Sequence, residues 1–175
     1  MVDNGGSEQL DRGAQNAEER LARLIRLAAR AFNRSLQIRL STEGVLFGHW
    51  IFLRILWRED GLSQRELSER AHLTEPTTHS TLSRMEELGY VTRRNVEGNK
   101  RRQHAFLTPQ GLALRDKLEP LAIEANQIAT QGLNPDEVQT LRRALVTIIG
   151  NLERDEVDAA TRGMRVPPTR GNGTL

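Results

Sequence analysis

The sequence predicts a mainly helical fold with one small β hairpin, and three observations predict it. Apolar residues recur at steps of three and four over most of the chain, the mark of amphipathic helices. A short helix-turn-helix pattern over 63–88 stops at Gly89. Two strand-like stretches then flank the cationic segment Gly98-Asn99-Lys100-Arg101-Arg102.

The first helix is expected over 16–40. Leu21, Leu24, Ile25, Ala28, Phe32, Ser35 and Ile38 give it one apolar face. Ser, Thr and Gly at 41–47 interrupt it. A second helix over 48–59 is apolar nearly all round, so it should be central, and Gly61 stops it. Ser63 and Glu66 have the spacing of a capping box, which starts a helix over 63–71. Thr74 or Glu75 opens the next helix, over 75–88. Pro76 lies in its first turn, where a missing N–H is harmless. Strands are expected at 90–94 and 103–108, with Lys100, Arg101 and Arg102 at the tip between them. Thr108 and Pro109 then start a long helix over 109–131. Asn134, Pro135 and Glu137 start the last one, whose stripe runs through Val138, Leu141, Leu145, Ile148, Ile149 and Leu152.

This order is that of a winged helix-turn-helix carrying a helical appendage. The fold class is therefore mainly α with a small β wing: a winged helix-turn-helix plus a helical dimerisation region made of the first and the last two helices. Residues 1–15 read as a disordered tail, 16–46 as the dimerisation helix and linker, and 47–108 as the winged DNA-binding domain. Residues 109–155 read as dimerisation helices and 156–175 as a second disordered tail. The stripes on the terminal helices have too little of their own domain to cover, so a homodimer is expected.

Charge points to the partner. The 175-residue chain has a net charge of only +2, yet five Lys/Arg between 93 and 104 face the single Glu97. A local patch suits docking on phosphates better than a generally cationic surface does. On the helix over 75–88, Thr78, Leu82 and Met85 share one side, and small polar residues occupy the other. Small polar groups let a helix enter a major groove and reach base edges or phosphates. The residues expected at double-stranded DNA are Thr74, Pro76, Thr77, Thr78, His79, Ser80 and Arg84 on that helix. The wing is expected to add Arg93, Arg94, Asn99, Lys100, Arg101 and Arg102.

Two stretches, ELSERAHLTEPTTHSTLSRMEELGYVTRR and NKRRQHAFLTPQG, give the chain its resemblance to the MarR family of bacterial transcriptional regulators, over about residues 18–153. The resemblance implies a dimer that places its two reading helices in successive major grooves of an inverted repeat, about 34–36 Å apart. It implies that Arg101 is the minor-groove residue of the wing. Asn99 stands where the family usually has an Asp that holds this Arg; it accepts a hydrogen bond but brings no charge. The resemblance also implies a repressor released by a small aromatic or phenolic ligand lodged between the dimerisation region and the winged lobe.

A candidate effector pocket is sought on the second helix. Aromatic residues make up 4% of the chain, yet both tryptophans fall within the same short stretch, 50–57. A pocket for an aromatic acid needs flat apolar walls and one or two convergent cationic or polar groups. Trp50, Phe52 and Trp57 are candidates for the walls, and His49, Arg54 and, from the first helix, Arg34 for the polar contact. Core filling by the same tryptophans remains open.

Several classes are excluded or disfavoured. The absence of cysteine excludes disulfides, thiolate metal sites and cysteine nucleophiles. The four histidines are scattered, so no metal site and no cofactor are expected. No phosphate-cradling glycine loop or nucleophile elbow is found, which argues against an enzyme. The N-terminus lacks a secretory pattern and no run is apolar enough to span a membrane, so a cytoplasmic protein is expected. A DNA-binding protein without an effector, and a winged module used only for protein contacts, remain the alternative readings.

Overall fold

The computed structural model describes residues 20–96 and 99–166, with the backbone alone at 99–102. Its elements are α1 (Leu21–Leu40), a single 3-10 turn (Ser41–Glu43), α2 (Phe47–Leu56), β1 (Leu62–Ser63), α3 (Gln64–Ala71), α4 (Glu75–Glu87), β2 (Val91–Val96), β3 (Asn99–Leu107), α5 (Pro109–Ala129) and α6 (Pro135–Thr161). The expected first turn of α1, before residue 20, lies outside the described residues, as do both chain ends.

Helix α2 is central, as its near-uniform apolarity predicts. Phe52, Leu53 and Leu56 are fully buried and meet Leu67 of α3, Leu82 of α4 and Leu118 of α5 in one core. Burying each such side chain contributes about 1.5–3 kcal/mol. Polar links then fix the helices around it. Arg39 of α1 pairs with Glu124 of α5 at 3.1 Å. Trp57, just past α2, donates its indole N–H to the Gly111 carbonyl at 3.0 Å.

The sheet is antiparallel with order β1-β3-β2. Sequence patterning anticipates the outer pair but not β1, a two-residue strand that sets Leu62 opposite Ala105. The wing strands are longer than expected: β2 runs to Val96 and β3 begins at Asn99. The backbone of Lys100, Arg101 and Arg102 is therefore strand rather than tip, which corrects the expected loop. Residues 97 and 98 lie outside the described residues.

Helix α6 continues to Thr161, past the boundary expected at 155, and none of its residues is buried. The first stretch of the expected tail, 156–161, is therefore helical. Its apolar stripe faces outward, with Leu152 at 64% exposure. An apolar row of this length on a helix with no buried residue has not found its cover within one subunit.

Candidate nucleic-acid interface

Local chemistry builds the helix-turn-helix. The Ser63 hydroxyl accepts the Glu66 N–H at 3.3 Å, and the Glu66 carboxylate accepts the Ser63 N–H at 2.8 Å. The Ser63 hydroxyl also donates to that carboxylate at 2.6 Å. The side-chain bond, then the backbone bond, hold the Glu66 carboxyl below the usual carboxylate range. The turn out of α3 is made at His72, which takes φ 52 with no glycine there. Thr74 caps α4, its hydroxyl accepting the Thr77 N–H at 3.4 Å and lying 2.9 Å from the Thr77 hydroxyl.

The outer face of α4 is short and polar. Pro76, Thr77, His79, Ser80 and Arg84 are exposed, and Thr74 is half-buried. Ser80 and Thr81 donate to the Thr77 carbonyl, and Ser83 to that of His79, each at 2.9 Å. These hydroxyls spend their protons inside the helix and offer only lone pairs outward. His79 is steadied by Gln64 of α3 at 3.0 Å. Arg84 pairs with Glu87 at 2.7 Å on the open surface, an exposed pair that holds the guanidinium only weakly.

Two expected DNA contacts are corrected. Thr78 is 0% exposed and sits in the row of Leu82 and Met85, so it cannot reach a groove. That row is the signal that should have removed it. Arg93 is 15% exposed, and Glu86 of α4 holds it at 2.8 Å, so it fastens the wing to the helix. Arg94 points the other way: its guanidinium lies 4.1 Å above the Phe106 ring. Of Asn99, Lys100, Arg101 and Arg102 the side chains lie outside the described residues. Glu86 is the contributor that sequence reasoning missed.

A cavity of about 630 Å³ lies between α1 and α5 on one side and α2 and the end of α3 on the other. Of the six residues proposed for an effector pocket, Trp50 and Arg54 line it. Arg54 also stacks over Trp50 at 5.6 Å. Phe52 is wholly core. His49 is buried with its ring edge toward Tyr90, centroids 6.1 Å apart. Trp57 packs edge-on against Trp50 at 5.6 Å outside the cavity wall. Arg34 lines a separate hollow of about 400 Å³ with Arg30, Asn33 and Gln37. Sequence reasoning missed Phe32, Phe47, Arg58, Arg70 and Asn126, which reach the cavity from four segments. No local pattern gathers them. Among the described residues no cluster of three metal-ligating side chains exists, and no helix is long and apolar enough to cross a membrane.

A capped helix-turn-helix followed at once by a two-stranded hairpin rich in cations defines a winged helix-turn-helix protein. Residues 43–102, about a third of the chain, match the model described as MarR family, and it is this family that the chain resembles. Among curated relatives, the HTH-type transcriptional regulator TtmR of Methylorubrum extorquens (strain PA1) is 29% identical over 153 residues, which is 87% of this chain and 75% of the relative. A cysteine-to-serine mutant of E. coli MarR complexed with operator DNA superposes with a TM-score of 0.70 at 25% identity, covering 76% of this chain and 96% of that one. A Listeria monocytogenes structure described as a MarR family regulator complexed with 26mer DNA shares the fold. Its TM-score is 0.72 at 21% identity, over 85% of this chain and 99% of that chain.

Proposed function

We propose that this regulator binds DNA as a homodimer, each subunit presenting α4 to one half of an inverted repeat, and that it represses until a small aromatic or phenolic acid releases it. The observation that carries the reading is the outer face of α4: small, polar and exposed from Pro76 to Arg84, directly beside the wing. Thr74, Pro76, Thr77, His79, Ser80 and Arg84 would meet the major groove. Arg94, Asn99, Lys100, Arg101 and Arg102 would hold the adjacent backbone, with Arg101 entering the minor groove. Relatives of the same fold complexed with DNA support the docking. The uncovered stripe of α6 supports the dimer.

The cavity supports the release step. Trp50, Phe32 and Phe47 supply flat walls, while Arg54, Arg58 and Arg70 bring positive charge. Arg70 is engaged by Glu59 at 2.6 Å, but Arg54 and Arg58 form no ion pair among the described residues. An aromatic carboxylate satisfies both requirements. Because the cavity separates α1 and α5 from α2 and α3, filling it changes how the winged lobe sits on the dimer.

Fluorescence anisotropy on the chain's own upstream duplex tests the reading. Arg101→Ala should lower affinity and reduce the salt slope by about one. Unchanged affinity and slope would overturn the wing assignment. An aromatic carboxylate at a hundredfold its dissociation constant should add about 2.7 kcal/mol of stability and release the duplex. A panel that does neither overturns the effector.

A further inference from the structure

The cavity between the winged lobe and α1 and α5 carries charge of one sign. Arg54, Arg58 and Arg70 line it, and no carboxylate does. Among the described residues one carboxylate answers them: Glu59, outside the wall, meets Arg70 at 2.6 Å. Two positive charges are therefore left over. A ligand with a single carboxylate cancels one of them, and a ligand with two cancels both. Trp50, Phe32 and Phe47 supply flat faces for a ring.

Arg70 differs from the other two in where it stands. It lies in the last turn of α3 and so belongs to the helix-turn-helix, whereas Arg54 and Arg58 belong to α2 and the turn that leaves it. Glu59 lies in that same turn, its N–H bonded to the Ile55 carbonyl at 3.1 Å. The Glu59–Arg70 pair thus ties the end of α2 to the end of α3. The tie is weak: its side chains are 57% and 43% exposed, and one bond, from Nη1 to Oε2, joins them. A carboxylate that meets the guanidinium fork with two parallel bonds holds it more strongly. What α3 feels passes to α4, because Leu67 and Leu82 share the core and Gln64 meets His79 at 3.0 Å.

We propose that the releasing ligand is an aromatic dicarboxylate, with one carboxylate on Arg54 and Arg58 and the other taking Arg70 from Glu59. The inference rests on the release step above; it adds the ligand class and the residue through which the ligand acts. A ligand moves an equilibrium only by binding its two states unequally. Here the DNA-bound arrangement keeps Glu59 on Arg70, and the released one gives Arg70 to the ligand. An aromatic monocarboxylate finds its partner in Arg54 or Arg58 without touching that pair. It therefore occupies the cavity and leaves the duplex bound.

Two readouts on the full chain test this: quenching of tryptophan fluorescence, since Trp50 lines the cavity, and anisotropy of the upstream duplex. The probes are benzoate, phthalate, isophthalate and terephthalate. At least one diacid should bind wild type about tenfold tighter than benzoate, since it gains a further charge-assisted contact. It should weaken duplex binding by about tenfold, and the duplex should weaken that diacid equally. Benzoate should quench without releasing. Arg70→Gln should bind the diacid no tighter than benzoate, and its duplex affinity should stay the same whichever acid is added. Glu59→Gln frees Arg70, so it should bind the diacid more tightly and the duplex more weakly. Both positions are exposed, and circular dichroism checks that each variant keeps its helices. Should Arg70→Gln lose them, Arg70→Lys replaces it; this keeps the charge without the fork and should lose most of the preference for the diacid. A wild type that answers benzoate as it answers the diacids overturns the relay. So does an Arg70 variant that still prefers and answers a diacid, or a Glu59→Gln variant with both affinities unchanged. Quenching by none of the four acids overturns the effector reading itself.

Discussion

Arg93 in β2 and Glu86 in α4 form a three-point clamp. The Arg93 backbone N–H reaches one carboxylate oxygen at 2.8 Å, and the guanidinium Nε and Nη2 reach the other at 2.9 and 2.8 Å. The wing is therefore fixed to the reading helix by a residue whose charge looks, in the sequence, like one more DNA contact. The clamp ties the wing to α4, so in the proposed docking both would meet a duplex as one surface.

Breaking the clamp should loosen the wing and reveal a signature in pH. Burial alone would raise the Glu86 carboxyl, but the backbone and side-chain hydrogen bonds from Arg93 outweigh it and hold the group below its ordinary value of 4.5. A carboxyl depressed on folding contributes stability above its unfolded value and loses it as pH falls through the folded one. Glu86 is 38% exposed, so solvent screens the pair; the expected loss for Glu86→Ala is about 1–2 kcal/mol at neutral pH. In urea melts the gap between variant and wild type should close in acid. An equal gap at neutral and acid pH would show that packing, not charge, is lost.

Much of the fold is legible because its punctuation is local. Ser63, Thr74, Thr108 and Asn134 each cap a helix as their spacing announces, since a cap involves only the next three residues. The burial of Thr78 was equally readable from Leu82 and Met85, and it should have outweighed the hydroxyl. The clamp, by contrast, depends on β2 folding back beside α4. The cavity depends on four segments meeting. Strand β1 is two residues paired across more than forty positions of chain. Such features come from tertiary pairing, and no window of sequence contains them.

Gly111→Ala should be among the most damaging single changes in the chain. Gly111 lies in the first turn of α5, where Thr108 caps it at 3.0 Å. A Cβ there would stand 2.0 Å from the Tyr90 carbonyl oxygen, which is backbone and cannot rotate aside. The same residue accepts the Trp57 indole N–H. Helix propensity favours alanine, yet overlap with the main chain decides the sign, and a loss of about 3 kcal/mol or more is expected. A calorimetric melt that matches wild type would mean that α5 can slide on β2.

Thr78→Val should separate the buried row of α4 from its reading face. The Thr78 hydroxyl is buried, and no hydrogen-bond partner satisfies it. Replacing it with a methyl of similar size removes an unsatisfied polar group, so stability should hold or rise by about 1 kcal/mol. Affinity for the upstream duplex should not change, whereas Thr77→Val and Ser80→Ala should weaken it. Equal losses of DNA binding from all three would restore Thr78 to the reading face.

His49 should make the protein lose stability in mild acid. Burial first, and the Arg84 guanidinium second, push its imidazole below the ordinary value of 6.5. The folded chain keeps His49 neutral while the unfolded chain takes up a proton near that value. Between the unfolded and the lowered folded values the unfolded state binds more protons, so stability falls as pH drops and levels off below the folded value. His49→Phe removes the titrating group and should flatten the melting temperature across this window. Arg84→Ala removes the second cause, raises the folded value toward 6.5 and should shrink the same slope. Parallel slopes in wild type and His49→Phe would assign the acid sensitivity to another group.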